Sequence, residues 1–354
     1  MTETIKKLAM GCGIAAAFFV CLEFILMAVG VVPLYERADP FVGFSSYAPL
    51  FVKRTMPGFG EIYETAPNKT RWFNPQRFPV HKAPGTTRVF CLGGSTTYGR
   101  PYDDRTSFSG WLREFLPSVD PTRRWEVINA GGISYASYRV ARIMEELIEY
   151  EPDMFIVYSG HNEFLEQRTY DKMLRTPETI RNLATLASHL RTYSVLHDVT
   201  YEQSAVYERS AILSTEVKAV LDRSVGPDAY HRDDDMRDAI LDHYQTSLMR
   251  MTFMAKRAGA KLILVTPASN IGDFSPFKAE PGPQANKPHI QKADSLKWIA
   301  NQALEEEHYK RALAITEQAL KFVSRDAQLL YAHGQALKNL GQPQEAHQAL
   351  IKAR

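Results

Sequence analysis

The feature that most constrains the fold is a set of four short apolar runs that alternate with segments of helical periodicity. Short apolar runs bounded by glycine and polar residues are typical of buried strands. Strands that alternate with helices favour a parallel sheet covered on both faces, and such sheets bind ligands at the carboxyl ends of their strands. We therefore predict an α/β fold whose functional residues follow the strands. The runs are RVFCLGG (88–94), WEVINAGG (125–132), MFIVYSG (154–160) and KLILVTP (261–267).

Composition and charge are typical of a globular protein and give no sign of nucleic-acid binding, a disulfide framework or a zinc site. The chain has 354 residues, of which 45% are hydrophobic and 23% charged, and this is typical of a globular protein with more than one core. A formal net charge of +2 gives no electrostatic reason to expect a nucleic-acid partner. Cys12, Cys21 and Cys91 form neither a disulfide framework nor a zinc-binding pattern with histidine, so we expect no metal and no cofactor.

The N-terminus predicts a membrane anchor. Lys6 and Lys7 precede a stretch that is apolar from residue 8 to residue 34 except for Glu23. The stretch is long enough to cross a bilayer as a helix, and the lysines favour a cytoplasmic N-terminus. We expect a single-pass anchor in the inner (cytoplasmic) membrane with the rest of the chain on the periplasmic side; a signal peptide cleaved near Ala28 is the alternative. Glu23 is costly in lipid, so it either faces a partner helix or is protonated.

The C-terminal part contains an internal repeat. Small residues recur 34 positions apart, as in the pairs Ala300 and Gly334, and Ala312 and Ala346. This period, with small residues where helices cross, resembles the tetratricopeptide repeat. Two repeats fit, fewer than such arrays usually need, and the chain ends within a helical pattern, so we expect that the sequence is incomplete. The predicted domains are an anchor (1–34), a short-strand region (35–86), an α/β domain (87–290) with a helical insertion at about 165–235, and repeats (291–354).

Each of the first three predicted strands ends in a small polar motif. The motifs are Gly93-Gly94-Ser95, Asn129-Ala130-Gly131-Gly132 and Ser159-Gly160-His161-Asn162-Glu163. In a parallel sheet these ends meet at one edge, where they would supply a hydroxyl, glycines that let a substrate approach the backbone, and a carboxamide donor. Acyl transfer requires this set, because it needs a nucleophile and donors aimed at the developing oxyanion.

Serine, glycine and asparagine in this order, at the ends of successive strands, resemble the SGNH (GDSL-like) hydrolase superfamily over roughly residues 85–270. The resemblance is to a membrane-anchored bacterial subgroup with tetratricopeptide repeats. It implies a flavodoxin-like three-layer α/β/α sandwich, with Ser95 as the nucleophile. It also implies an oxyanion hole formed by the N–H groups of Ser95 and Gly131 and the Asn162 amide. The residues expected to line this site are Gly94, Gly132, Gly160, His161 and Arg100.

The general base of that superfamily, a histidine in an Asp-x-x-His block near the end of the domain, has no evident counterpart. Asp228-Ala-Tyr-His231 has the spacing but precedes the fourth strand, and His161, His243 and His289 are weaker candidates. A serine without a base is a weak nucleophile. We expect the block to lie beyond Arg354 and the chain as given to be nearly inert.

Two functions follow as hypotheses. The first is a serine esterase or acyltransferase, for which the resemblance implies small acyl groups, such as acetyl, on an envelope polysaccharide. The alternative is a non-catalytic, membrane-anchored scaffold that binds a protein partner through its repeats. The two combine if the repeats position an active hydrolase in an envelope assembly.

Overall fold

The computed structural model describes residues 2–34, 49–70, 72–165, 178–205, 231–282 and 285–353. These residues divide into two units by their contacts. The first unit comprises the described residues up to 205 together with 235–267, and the second comprises 231–234 and the described residues from 268 onward. The domain boundaries predicted from the sequence stay predictions.

The first unit begins with an apolar helix and a small antiparallel sheet. Helix α1 (Thr2–Ala28) contains the stretch Ala9–Ala28, which is long and apolar enough to cross a membrane. The sheet has the order β1-β2-β3, formed by β1 (Phe51–Met56), β2 (Gly60–Thr65) and β3 (Arg77–Pro79).

The main sheet of this unit confirms the predicted parallel strands. It contains β4 (Thr86–Gly93), β5 (Arg124–Gly131), β6 (Met154–Tyr158) and β7 (Lys261–Leu264), all parallel, in the order β5-β4-β6-β7. This is the order in which flavodoxin-type sheets arrange their first four strands, with the strand order reversing between β4 and β6. The carboxyl ends of these two strands therefore flank the crevice where sheets of this kind bind ligands.

Helices cover both faces of the sheet. On β4, Phe90 and Leu92 belong to one apolar cluster and Val89 and Cys91 to another. Because successive side chains of a strand point to opposite faces, a strand buried on both sides must be apolar throughout, as this one is. Helices α4 and α7 cover the first face and α3 the second. The helices after α1 are α2 (Ser95–Tyr98), α3 (Phe108–Val119), α4 (Ser137–Leu147), α5 (Glu178–Ser188), α6 (Arg191–Ala205) and α7 (Asp234–Arg257).

The second unit consists mainly of four consecutive helices, each packed against the next. They are α8 (Lys287–Glu305), α9 (Tyr309–Leu320), α10 (Ala327–Asn339) and α11 (Pro343–Ala353). The small residues that recur in the sequence are buried at the helix contacts: a Cβ on Gly334 would lie 2.7 Å from Leu350 Cγ. Close packing therefore explains the repeated small residues, while membership of the tetratricopeptide class stays a prediction.

Candidate functional site

Ser95 lies at the carboxyl edge of the main sheet, where β4 turns into α2. Gly93 has a φ of 158°, and a side chain there would overlap the Tyr158 carbonyl oxygen and Thr97 Oγ1. Gly94 is extended, with φ −87° and ψ −152°, and α2 begins at the next residue. Glycine is therefore required at position 93, where the end of β4 lies against the end of β6. The Ser95 side chain is partly exposed, and its hydroxyl has no hydrogen-bond partner among the described residues.

Buried polar contacts hold the turn that carries Ser95. Thr97 Oγ1 donates to the Tyr158 carbonyl oxygen at 3.2 Å, which ties α2 to the end of β6. Asn129 Nδ2 donates to the Thr97 carbonyl oxygen at 3.0 Å, and this ties α2 to β5. Asn74 Nδ2 donates to the Tyr98 carbonyl oxygen at 2.7 Å. Thr97 therefore supports the turn that carries Ser95.

Asp104 holds the side chain of Asn129 in place. Its carboxylate accepts a hydrogen bond from Asn129 Nδ2 at 2.7 Å and one from Gln76 at 3.0 Å. It also forms an ion pair with Arg113 at 2.7 Å. Burial by itself would raise the pKa of Asp104, but the hydrogen bonds from Arg113, Gln76 and Asn129 outweigh it and hold the pKa below its usual value. No role for Asn129 or Asp104 was predicted from the sequence. The sequence offered one signal for Asn129: a polar side chain inside the apolar run INAG is expected to be buried, and a buried polar side chain requires a hydrogen-bond partner.

The N–H of Gly131, which was predicted to be an oxyanion donor, has an acceptor within the protein. It donates to Asn129 Oδ1 at 3.0 Å, and the N–H of Gly132 donates to the Gly93 carbonyl oxygen at 2.9 Å. Neither N–H is left for an oxyanion in this conformation. A Cβ on Gly131 would lie 2.8 Å from the Thr97 carbonyl carbon. Gly131 therefore lets α2 pack against β5, and its glycine identity is explained by that close approach.

Asn162 lies beside the turn formed by Gly94 and Ser95. Its side chain is 8% exposed, and Nδ2 donates to the Tyr135 carbonyl oxygen at 3.0 Å. The same Nδ2 is 2.5 Å from the position that a Cβ on Gly94 would occupy. The hydrogen bond to Tyr135 uses one of the two amide N–H groups, so the other is left for a ligand at this edge.

Glu163, the next residue, is 3% exposed and holds the start of α4. Oε1 accepts the Ser137 N–H and Oε2 accepts the Ser137 hydroxyl, both at 2.8 Å. A carboxylate at this end of a helix is favoured because the first N–H groups lack intrahelical acceptors. Glu163 belongs to the third predicted motif, but no role for it was predicted from the sequence.

The other residues predicted to line the site are Gly160, His161 and Arg100, and each has contacts in the structure. Gly160 has a φ of 133°, and a Cβ there would lie 2.8 Å from Pro267 Cγ. His161 is exposed and its ring packs edge-on against Tyr158, with 5.1 Å between centroids, while desolvation lowers the pKa of His161. Arg100 is exposed just after α2, and its N–H donates to the Ser95 carbonyl oxygen at 3.1 Å.

No histidine in the described part of the chain donates to, or accepts from, the Ser95 hydroxyl. His243 is buried in α7 against the Tyr138 ring, with 5.6 Å between centroids. His231 lies in the second unit, 3.1 Å from Glu280, and its motif partner Asp228 falls outside the described residues. His289 also lies in the second unit, in the first turn of α8.

Comparison with known proteins places few limits on the chain. No protein-family model and no curated protein matches it. A solved structure of a mutant of the esterase AlinE4 matches 51% of this chain and 77% of its own, with 15% identity and a TM-score of 0.22. The chain is an α/β protein with a four-stranded parallel sheet and an N-terminal helix that is long and apolar enough to cross a membrane.

Proposed function

We propose that the protein is a serine-dependent ester hydrolase or acyltransferase of the SGNH type, with Ser95 as the nucleophile. The observation that carries the proposal is the placement of the Asn162 amide beside the Gly94–Ser95 turn, at the edge where the strand order reverses. A hydroxyl next to a buried amide donor is what acyl transfer needs, because negative charge develops on the ester oxygen as the nucleophile attacks.

In the proposed reaction, the Ser95 hydroxyl oxygen attacks the ester carbonyl carbon and loses its proton to a base. The carbonyl oxygen becomes an oxyanion, which accepts hydrogen bonds from the Asn162 amide and from the Ser95 N–H. The Ser95 N–H is suited to this role because the first N–H groups of a helix have no intrahelical acceptor. The tetrahedral intermediate collapses, the alcohol leaves with a proton, and an acyl-enzyme remains on Ser95. Water releases the acyl group in a hydrolase, and a sugar hydroxyl does so in a transferase.

The proposed oxyanion hole has two donors rather than three. Gly131 was expected to supply the third, but its N–H is donated to Asn129 Oδ1. Removing one such donor typically lowers kcat by about 10²–10³. With two donors, the Asn162 amide carries a large share of the stabilisation, and this makes Asn162 the most informative position after Ser95.

The proposed substrates and location rest on the resemblance and on α1. Lys6 and Lys7 precede the apolar helix and favour a cytoplasmic N-terminus, which would place the sheet outside the cytoplasmic membrane. Small acyl esters, such as O-acetyl groups on an envelope polysaccharide, are the substrate class that fits this location.

The test measures nucleophile reactivity rather than turnover, because no histidine pairs with Ser95 among the described residues. The full chain in detergent is incubated with a fluorophosphonate, with and without imidazole as an added base, and the modified peptides are identified by mass spectrometry. Ser118, an exposed serine in α3, serves as the internal reference. We expect labelling at Ser95 to exceed labelling at Ser118, to increase with imidazole, and to disappear in Ser95→Ala.

Two outcomes would contradict the proposal. Equal labelling of Ser95 and Ser118, with and without imidazole, would mean that Ser95 is an ordinary hydroxyl. In Ser95→Ala, labelling of another residue above the level at Ser118 would place the nucleophile at that residue. The first result would favour the scaffold hypothesis, in which the repeats bind a protein partner.

A further inference from the structure

Glu23, the acidic residue within the apolar stretch of α1, binds the start of α6. Oε2 accepts the Arg191 N–H at 2.9 Å and Oε1 accepts the Thr192 N–H at 2.7 Å. These are the first two residues of α6, whose N–H groups have no acceptor within the helix. Of the two alternatives for Glu23, the structure shows the partner helix, and that helix belongs to the same chain.

Two more hydrogen bonds join α6 to the residues that follow α1. Arg191 Nε donates to the Val31 carbonyl oxygen at 3.1 Å. The Leu34 N–H donates to Ser194 Oγ at 2.6 Å. The first turn of α6 is therefore attached at three points between residues 23 and 34, and the attachment satisfies polar groups that lipid could not.

The attachment to α1 determines the depth in a membrane at which α6 would begin. Glu23 precedes the end of α1, Ala28, by five residues, which corresponds to about 7.5 Å along a helix axis. If α1 crosses a bilayer, the start of α6 lies at the boundary of the hydrocarbon layer or inside it. An uncapped helix start would be costly at this depth, and Glu23 removes that cost.

Helices α5 and α6 expose an apolar face next to this attachment. On α5 and just after it, Ile180, Leu183, Leu186 and Leu190 are 54%, 65%, 68% and 49% exposed. Their spacing of three and four residues puts them on one face of a helix. On α6, Leu196 is 62% exposed. Soluble surfaces rarely expose so many large apolar side chains together, and such patches mark protein or membrane contacts.

A groove of about 560 Å³ joins this face to α1. Phe19, Val20, Phe24 and Met27 line it from α1, and Leu190 and Leu196 line it from the other side. Among the lining residues, Glu23 accepts the N–H groups of Arg191 and Thr192. The exposed face is thus continuous with the surface that α1 would present to lipid.

We propose that α5 and the first half of α6 are embedded in the membrane leaflet that holds the C-terminal end of α1, with phospholipid acyl chains occupying the groove. Continuity with the apolar surface of α1 selects lipid as the occupant. Helices with one strongly apolar face bind in this way at the boundary of the headgroups and acyl chains. The first unit would then be attached to the membrane surface through three helices rather than tethered by one.

The test uses nitroxide labels on the full chain reconstituted in phosphatidylcholine vesicles. Leu183→Cys and Leu196→Cys are made in a background with Cys12→Ser and Cys21→Ser; Cys91 is buried and stays. The lipid reference is a label on Cys21, exposed on α1, in a separate protein that carries only Cys12→Ser. The aqueous reference is Thr252→Cys, exposed on α7, in the background without Cys12 and Cys21. Collision rates with oxygen and with a water-soluble nickel chelate are measured at each label.

We expect the Leu183→Cys and Leu196→Cys labels to lose accessibility to the nickel chelate and to keep accessibility to oxygen, as at Cys21 and unlike Thr252→Cys. Accessibility to nickel equal to that of Thr252→Cys would place the helices in water and overturn the proposal. Labels shielded from both reagents would mean that protein, such as a second copy, covers the face. A Cys21 label accessible to nickel would show that α1 is not inserted, which overturns the proposal at its first step.

A second variant checks the role of Glu23 without altering the labelled face. Glu23→Ala removes both acceptors, whereas Glu23→Gln retains one carbonyl acceptor. We expect the Leu196→Cys label to regain nickel accessibility in Glu23→Ala and to do so less in Glu23→Gln. An unchanged label in Glu23→Ala would mean that the carboxylate does not hold α6 at this depth.

Discussion

Asn162 Nδ2 lies 3.0 Å from the carbonyl oxygen of Tyr135, a residue 27 positions away in the sequence. The adjacent residue, Glu163, binds Ser137 through both carboxylate oxygens at 2.8 Å. Two consecutive residues after β6 therefore hold the loop that follows β5. Because the same Asn162 amide lies beside Gly94, the conformation of that loop and the donor next to Ser95 are coupled.

Asn162→Ala should separate reactivity from stability. The substitution removes the amide next to Ser95, so we expect the rate of phosphonate labelling at Ser95 to fall by about 10²–10³. The lost hydrogen bond to Tyr135 should lower the free energy of unfolding by only about 1 kcal/mol. Mass spectrometry gives the labelling rate and circular dichroism gives the thermal midpoint. A labelling rate within a factor of two of wild type would remove Asn162 from the proposed oxyanion hole.

Glu163→Ala should loosen the start of α4. It leaves the buried Ser137 N–H and hydroxyl without their acceptors, and hydrogen bonds to a charged group are worth about 1.5–3 kcal/mol. We expect faster hydrogen–deuterium exchange at Ser137 and the next few amides of α4. Ser137→Ala, which removes the hydroxyl bond alone, is the matched control and should have a smaller effect. Equal exchange in Glu163→Ala and wild type would show that the carboxylate does not hold this helix start.

The strands and the motif order could be predicted from the sequence because they rest on local patterns. The run 88–94 is apolar throughout, which identifies a strand buried on both faces, and serine and asparagine follow strands that are neighbours in the sheet. The contacts of the motif residues could not be predicted in this way. Gly131 was expected to offer its N–H to a substrate, but the side chain two residues earlier, Asn129, accepts it.

Long-range polar pairs were the hardest part to predict. Glu23 and Arg191 are 168 positions apart, and no periodicity connects an acid in an apolar helix with the first turn of another helix. The sequence revealed only that Glu23 needs a partner, since an unpaired charge in lipid is costly. Which N–H groups satisfy it depends on the packing of α1 against α6, and that information lies in the tertiary structure.

Gly94→Ala should disturb the site while sparing the sheet. Gly94 has a negative φ that alanine can adopt, but the added Cβ would lie 2.5 Å from Asn162 Nδ2 and 3.2 Å from the Tyr135 carbonyl oxygen. We expect the methyl group to displace the amide, so that Ser95 labelling falls with little change in the thermal midpoint. Gly93→Ala is the contrasting variant: its side chain would overlap backbone of β6 at a positive φ, and we expect loss of folded protein. Wild-type labelling in Gly94→Ala would show that the Asn162 amide is not needed where the structure places it.

Asp104→Asn should change how stability depends on pH. Burial would raise the pKa of Asp104, but the hydrogen bonds from Arg113, Gln76 and Asn129 lower it below the value of the unfolded chain, which is about 3.9. A carboxyl whose pKa is lower in the folded state contributes stability above the unfolded pKa and loses it as the pH falls through the folded pKa. The difference in thermal midpoint between wild type and Asp104→Asn should therefore be largest at neutral pH and become smaller in acid.

The exposed Asp242, changed to Asn in the same way, is the control and should show little difference in thermal midpoint from wild type at any pH. A difference in thermal midpoint between wild type and Asp104→Asn that stays constant into acid would contradict the prediction. It would mean that the charge of Asp104 does not stabilise its hydrogen-bonded network with Arg113, Gln76 and Asn129.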